Sequence, residues 1–137
     1  MSKAAIYTVN SGAQAVAVGG TINLGTIVRR FGRECCDPSI NLNGSSITLN
    51  DPGYYDIDVA VTALPTAAGP VTITIFQDGT AVPGSTNTTT APAAGNPVNV
   101  VSLPLVRVRC GSASSISVVL ANGAGTVANI SVKVIKI

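Results

Sequence analysis

Apolar side chains in this chain recur at every second position, in short runs cut off by Gly, Asn, Pro or Ser. That rhythm leaves the β-strand as the regular structure most of it can form. The clearest run is YYDIDVAVT, Tyr54 to Thr62, which places Tyr55, Ile57, Val59 and Val61 on one face and Asp56, Asp58, Ala60 and Thr62 on the other. VTITIFQ, Val71 to Gln77, sets Val71, Ile73 and Ile75 on one face and then meets Asp78-Gly79, a two-residue hairpin signal. The Gly-, Pro-, Ser- and Thr-rich stretch from Thr80 to Pro97 has little to pack and reads as a long surface loop with at most one short strand. Val98 to Arg109 is strand-like but holds Pro104, which places it at a sheet edge or a bulge. Ser115 to Ala121 turns Ile116, Val118 and Leu120 inward, Asn122-Gly123 marks a turn, and Thr126 to Ile137 closes the chain, so these last two strands read as a hairpin.

Upstream, AIYTV near Ala5, QAVAV from Gln14, TINLGTIV from Thr21 and SITL from Ser46 are shorter strands bounded by Gly, Asn or Ser. No window carries apolar residues at helical spacing with helix formers between them, so essentially no helix is expected. About eight to ten short strands in a chain of this length predict one all-β domain over residues 1–137, an antiparallel jelly-roll β-sandwich.

Such a sandwich must still hide an unusual amount of apolar surface. Only 10% of the residues are charged and 46% are hydrophobic, with a mean hydropathy of +0.46, where an average soluble domain is about 25% charged. No run approaches the roughly 20 apolar residues of a spanning helix, and five aromatics are too few for the girdles of an outer-membrane barrel. No membrane partner is expected, and burial between subunits remains. The net charge is +2 and the basic residues are scattered, without the stripe that a nucleic-acid partner needs. The opening MSKAAIYTVN lacks the apolar core of a secretory signal, and three cysteines are an odd number for a disulfide framework, so synthesis and folding in a cytosol are expected.

The chain has no histidine, which removes the commonest general base and the usual nitrogen ligand of zinc. No nucleophile, base and oxyanion set can be assembled, so the chain reads as non-enzymatic, and no cofactor is expected. Asp56 and Asp58 share a strand face and could offer two oxygens to calcium or sit beneath a sugar, against the plainer reading of a solvated face. Cys35, Cys36 and Cys110 admit three readings: buried thiols, a disulfide between Cys110 and one of the pair, or a thiolate zinc site that lacks the usual ligand spacing. Arg29, Arg30 and Arg33, with Phe31 between them, form the candidate partner-binding segment, by bidentate pairing with carboxylates. The alternative there is a solvated turn with ion pairs to Glu34 and Asp37. Of Tyr54 and Tyr55, alternation sends one into the core.

The segment NDPGYYDIDVAVT, Asn50 to Thr62, resembles the signature strand of the tumour necrosis factor and complement-type globular head superfamily, in which a Pro-Gly-Tyr-Tyr-like corner opens a long central strand. VTITIFQDGTAVPGS is similar to that superfamily's next hairpin. SISVVLANGAGTVANISVKVIKI is similar to its closing pair, as also in the trimeric heads of bacterial exosporium collagen-like proteins, whose Gly-X-Y repeat is missing here. The likeness covers about two thirds of the chain, with Gly53, Tyr54 and Tyr55 its most specific part. The opening SKAAIYTVNSGAQAVAVGGTINLGTIVRRFG resembles small virion proteins of bacteriophages and prophages of gut bacteria. These resemblances imply a homotrimeric jelly roll in a virion, a capsid decoration or head-fibre subunit with capsid or other virion proteins as partners. The rival reading is a host-adhesion module that binds surface glycans through the Thr80 to Pro97 loop with Asp56 and Asp58.

Overall fold

The computed structural model describes residues 3–32 and 39–137, and every regular element among them is a strand. Sheet I contains β1 (Ala4–Asn10), β2 (Gln14–Val16), β4 (Thr26–Phe31), β7 (Gly53–Pro65), β11 (Val98–Ser102), β12 (Leu105–Val108) and β14 (Gly125–Lys136). Sheet II contains β3 (Gly20–Thr21), β5 (Ile40–Asn43), β6 (Ser46–Leu49), β8 (Gly69–Gln77), β9 (Thr80–Ala81), β10 (Asn87–Ala91) and β13 (Ser114–Asn122). The strand orders are β4-β1-β14-β7-β11, with β12 continuing the β11 edge, and β10-β8-β13-β6-β5. All pairings are antiparallel, and the chain crosses repeatedly from one sheet to the other, as a jelly roll requires.

The core forms where the two alternating faces meet. Tyr55, Ile57, Val59 and Val61 of β7 and Val71, Ile73 and Ile75 of β8 are fully buried, together with Ile116, Val118 and Leu120 of β13. The inward phase read from the sequence is therefore the one that packs. Each such aliphatic side chain removed from water stabilises the fold by about 1.5–3 kcal/mol. Tyr55 keeps its hydroxyl satisfied by donating to the Asp51 carbonyl at 2.6 Å, at the corner that opens β7. Asp78-Gly79 makes the expected two-residue hairpin between β8 and β9, with φ of 52° and 83°, the left-handed pair that a type I′ turn demands.

Two sequence expectations are corrected here. β13 and β14 are not a hairpin: β13 lies in sheet II between β8 and β6, and β14 lies in sheet I between β7 and β1. Both edges of β13 are already occupied, so the chain at Asn122-Gly123 carries over to the other sheet instead of folding back. Gly123 has φ of 83°, and a Cβ there would lie 2.9 Å from the Pro70 carbonyl and from Val71. The second correction concerns Thr80 to Pro97, which holds two strands that both pair with β8 and is pinned by the fully buried Ser85. The Ser85 hydroxyl adds hydrogen bonds to that anchoring, beside the buried Val82 and Ala91. Pro104 separates β11 from β12 at the sheet edge, and its carbonyl accepts the Ile57 amide at 3.1 Å.

Candidate functional site

The two outer faces of the sandwich differ in chemistry. Sheet II presents hydroxyls and amides: Thr72 bonds Thr88 at 2.8 Å and Thr74 bonds Thr86 at 2.9 Å, and Ser115, Ser117, Asn41 and Asn43 continue the layer. No large apolar residue on a sheet II strand is classed as exposed. Sheet I is the opposite. Tyr7, Phe31, Tyr54, Val101, Leu105 and Ile135 project from its outer face, and Ile137 extends it, with Phe31 65% and Ile137 67% accessible.

Strand register arranges these side chains in rows. One row runs Phe31, Ala5, Ile135, Asp56, Leu105 across β4, β1, β14, β7 and β12. The next runs Arg29, Tyr7, Lys133, Asp58. A third runs Thr26, Val9, Ser131, Ala60, Val101. Arg107 stands opposite Tyr54, its guanidinium 5.8 Å from the ring centroid. Two shallow depressions follow the rows. One, of about 300 Å³, is lined by Tyr7, Arg29, Phe31 and Ile135, and the other, of about 180 Å³, by Tyr7, Ala60, Val101 and Lys133.

Charge on this face is divided. Arg29 and Lys133 lie on the β4-β1-β14 side, and Asp56 and Asp58 on β7. Lys133 and Asp58 pair at 3.2 Å, whereas Arg29 and Asp56 take part in no ion pair among the described residues. They stand three strands and one row apart, roughly 16 Å between backbones.

The residues singled out from the sequence separate accordingly. Arg29 and Phe31 are on the apolar face. Arg30 points the other way, half-buried, and donates from Nη2 to Asn41 Oδ1 of sheet II at 3.1 Å, which ties the two sheets together. Arg33, Cys35 and Cys36 lie outside the described residues. Cys110 is exposed in the turn after β12, which corrects the reading of a buried thiol for this residue: the strand has left the core before the chain reverses. Asp56 and Asp58 lie on β7 of sheet I, whereas the Thr80 to Pro97 segment pairs along the β8 edge of sheet II. Tyr54 and Tyr55 divide as alternation requires, one 49% exposed and one fully buried.

Sequence reasoning passed over Tyr7, Leu105, Ile135 and Ile137. A signal for the last two was present: in VKVIKI, apolar residues occupy both phases of the strand, the pattern of a strand covered on both faces.

Two antiparallel sheets in this order, with the Gly53-Tyr54-Tyr55 corner opening the long β7, define an antiparallel jelly roll. Among solved structures, that of murine APRIL matches with a TM-score of 0.72 and 13% identity, over 98% of this chain and 99% of that one. The globular domain of zebrafish complement 1qA protein matches with a TM-score of 0.68 and 6% identity, over 94% of each chain. The vertex protein P5 of phage PRD1 matches with a TM-score of 0.55 and 14% identity, over 98% of this chain and 96% of that one. At such identities the likeness is one of fold. No protein-family model and no curated protein matches the sequence.

Proposed function

We propose that this chain is a bacteriophage virion structural protein, a homotrimeric jelly-roll subunit that decorates the capsid or builds a head fibre. The observation that carries the reading is the outer face of sheet I, where Tyr7, Phe31, Tyr54, Val101, Leu105 and Ile135 on six neighbouring strands are exposed with no described residue covering them. Contiguous apolar faces of this kind are rare on monomers and mark interfaces. The occupant is a second copy of the chain. The face carries its own complement, since the unpaired Arg29 of one subunit can meet the unpaired Asp56 of the next while the apolar rows pack between them. Physical chemistry asks only for a closed assembly; the threefold number follows the resemblance to trimeric heads. The fold-level likeness to a phage vertex protein supports the virion role. A trimer would anchor through three equivalent weak sites, so that avidity replaces individual affinity.

Light scattering on the purified protein tests the assembly: a mass of three chains, with or without reductant, is expected. Ile135→Asp alters only the outer face and should yield folded monomers. Arg29→Asp and Asp56→Arg should each weaken assembly, and the two together in one chain should restore it. A wild-type monomer would overturn the oligomer. Mass spectrometry of density-banded particles tests the virion role, and absence of the protein from them would refute it.

A further inference from the structure

We propose that the cleft between β12 of sheet I and the β8–β9 hairpin of sheet II binds an anionic saccharide, a sugar chain that carries carboxylates or phosphodiesters. The site borders the assembly face at its β12 edge, where Leu105 and Arg107 flank both, and the inference goes beyond the structural role proposed above.

Arg107, the third residue of β12, and Arg109, just past its end, alternate onto the same side of a sheet-edge strand, which sets their backbones about 6.6 Å apart. Both are exposed, and neither is ion-paired among the described residues. Two features hold this wall in place. Gln77 spans the sheets, its Nε2 donating to the Arg107 carbonyl at 2.9 Å and to Ser114 Oγ at 3.1 Å. The chain then reverses through a turn closed by the Ser112 amide on the Arg109 carbonyl at 3.2 Å, with Gly111 at φ 78°.

Two depressions share Gln77, Arg107 and Arg109 in their walls, and the Arg107 guanidinium also lies 5.8 Å from the Tyr54 ring centroid at the rim. One, of about 370 Å³, is polar, with the hydroxyls of Ser112 and Ser114. The other, of about 300 Å³, has an apolar side formed by Val82, Pro83 and Leu105. A ligand that crosses the guanidiniums and occupies both depressions is a chain, not a point ion. The required chemistry is anionic groups for the two forks, hydroxyls for the serine side, and a carbon-rich ring face for the apolar side. Acidic sugar residues carry all three.

Asp78 also lines the cleft, its Oδ1 engaged in accepting the Ser115 amide at 2.9 Å. The local balance is therefore two cations against one anion, a modest field that suits isolated anionic groups better than a dense polyphosphate backbone. Neither depression is lined by an aromatic side chain on which a base could stack.

Isothermal titration of the intact protein with hexagalacturonate and with a glycerol-phosphate oligomer tests the proposal, with maltohexaose as the neutral comparison and oligothymidylate as the nucleic-acid one. Binding of at least one anionic oligomer is expected, weakening as salt is raised. The Arg107→Gln/Arg109→Gln variant should lose about tenfold or more in affinity. Light scattering on that variant must show the wild-type mass, which separates loss of this site from failure of assembly. If assembly itself changes, Ser112→Trp, which fills the polar depression from an exposed turn, replaces it with the same expected loss. Equal affinity for maltohexaose, equal or tighter binding of oligothymidylate, unchanged affinity in the variants, or no binding of either anionic oligomer would overturn the proposal.

Discussion

Ser85→Ala removes a single oxygen and should cost this protein several kcal/mol. Ser85 is fully buried at the corner between β9 and β10. Its Oγ accepts the Ile75 amide at 3.1 Å and lies 2.7 Å from the Val82 carbonyl, to which it donates. Its own carbonyl accepts Ser102 Oγ at 2.7 Å, so the corner is also tied to β11 of the opposite sheet. Two side-chain hydrogen bonds are each worth about 1 kcal/mol net, and an orphaned buried amide costs about 1–3 kcal/mol more. Their sum, with some relaxation of the corner, predicts a loss of about 2–4 kcal/mol. Urea unfolding at fixed protein concentration, followed by circular dichroism, reads this as a lower midpoint with an unchanged slope. Ser112→Ala, in an exposed turn, is the control and should shift stability by less than about 0.5 kcal/mol. A Ser85→Ala loss no larger than the control would refute the claim that hydroxyls hold this segment to the core.

Gly25→Ala and Gly79→Ala separate close approach from backbone conformation alone. Both glycines have φ near +80°, but a Cβ on Gly25 would lie 2.2 Å from the Val9 carbonyl oxygen, whereas one on Gly79 meets nothing within 4 Å. Gly79→Ala should therefore cost only about 1 kcal/mol and Gly25→Ala more than about 3 kcal/mol, read from the same urea midpoints; equal losses would contradict the geometry. Asp58→Asn breaks the Lys133 pair, whose side chains are 51% and 35% exposed. In the monomeric Ile135→Asp background, where this face is open to solvent, a change below about 0.5 kcal/mol that vanishes at high salt is expected in urea unfolding, and a larger one would show that the pair is shielded from solvent.

Legibility followed the physics of each segment. Tyr54 to Thr62 was readable in full because one face is buried and the other is solvent-facing, so alternation encodes both sides. The hairpin at Asp78-Gly79 was readable because a type I′ turn restricts which residues can occupy it. Asn122-Gly123 carries the same kind of signal and yet joins two sheets, since the local turn preference cannot report that both edges of β13 are already taken. Thr80 to Pro97 looked unstructured because Ser85 and Thr–Thr contacts share its anchoring with only two isolated buried apolar residues, Val82 and Ala91, which leave no hydrophobic period to detect. Of the proposed assembly face, Arg29 and Phe31 were visible as a cluster, but their separation from Arg30 depends on strand alternation across β4.

By itself the sequence determined that this protein is an all-β sandwich, that it excludes histidine chemistry and membrane-spanning helices, and that it is poor in charge for its apolar content. Those properties rest on composition and on side chains two residues apart, which are local quantities. Only the tertiary structure decided which strands share a sheet, which outer face gathers Tyr7, Phe31, Ile135 and Leu105, and that Arg107, Arg109, Gln77 and Ser114 meet at one cleft. These residues come from segments up to 128 positions apart, Tyr7 to Ile135, and their proximity arises from strand pairing and sheet packing, which no short window of the chain contains.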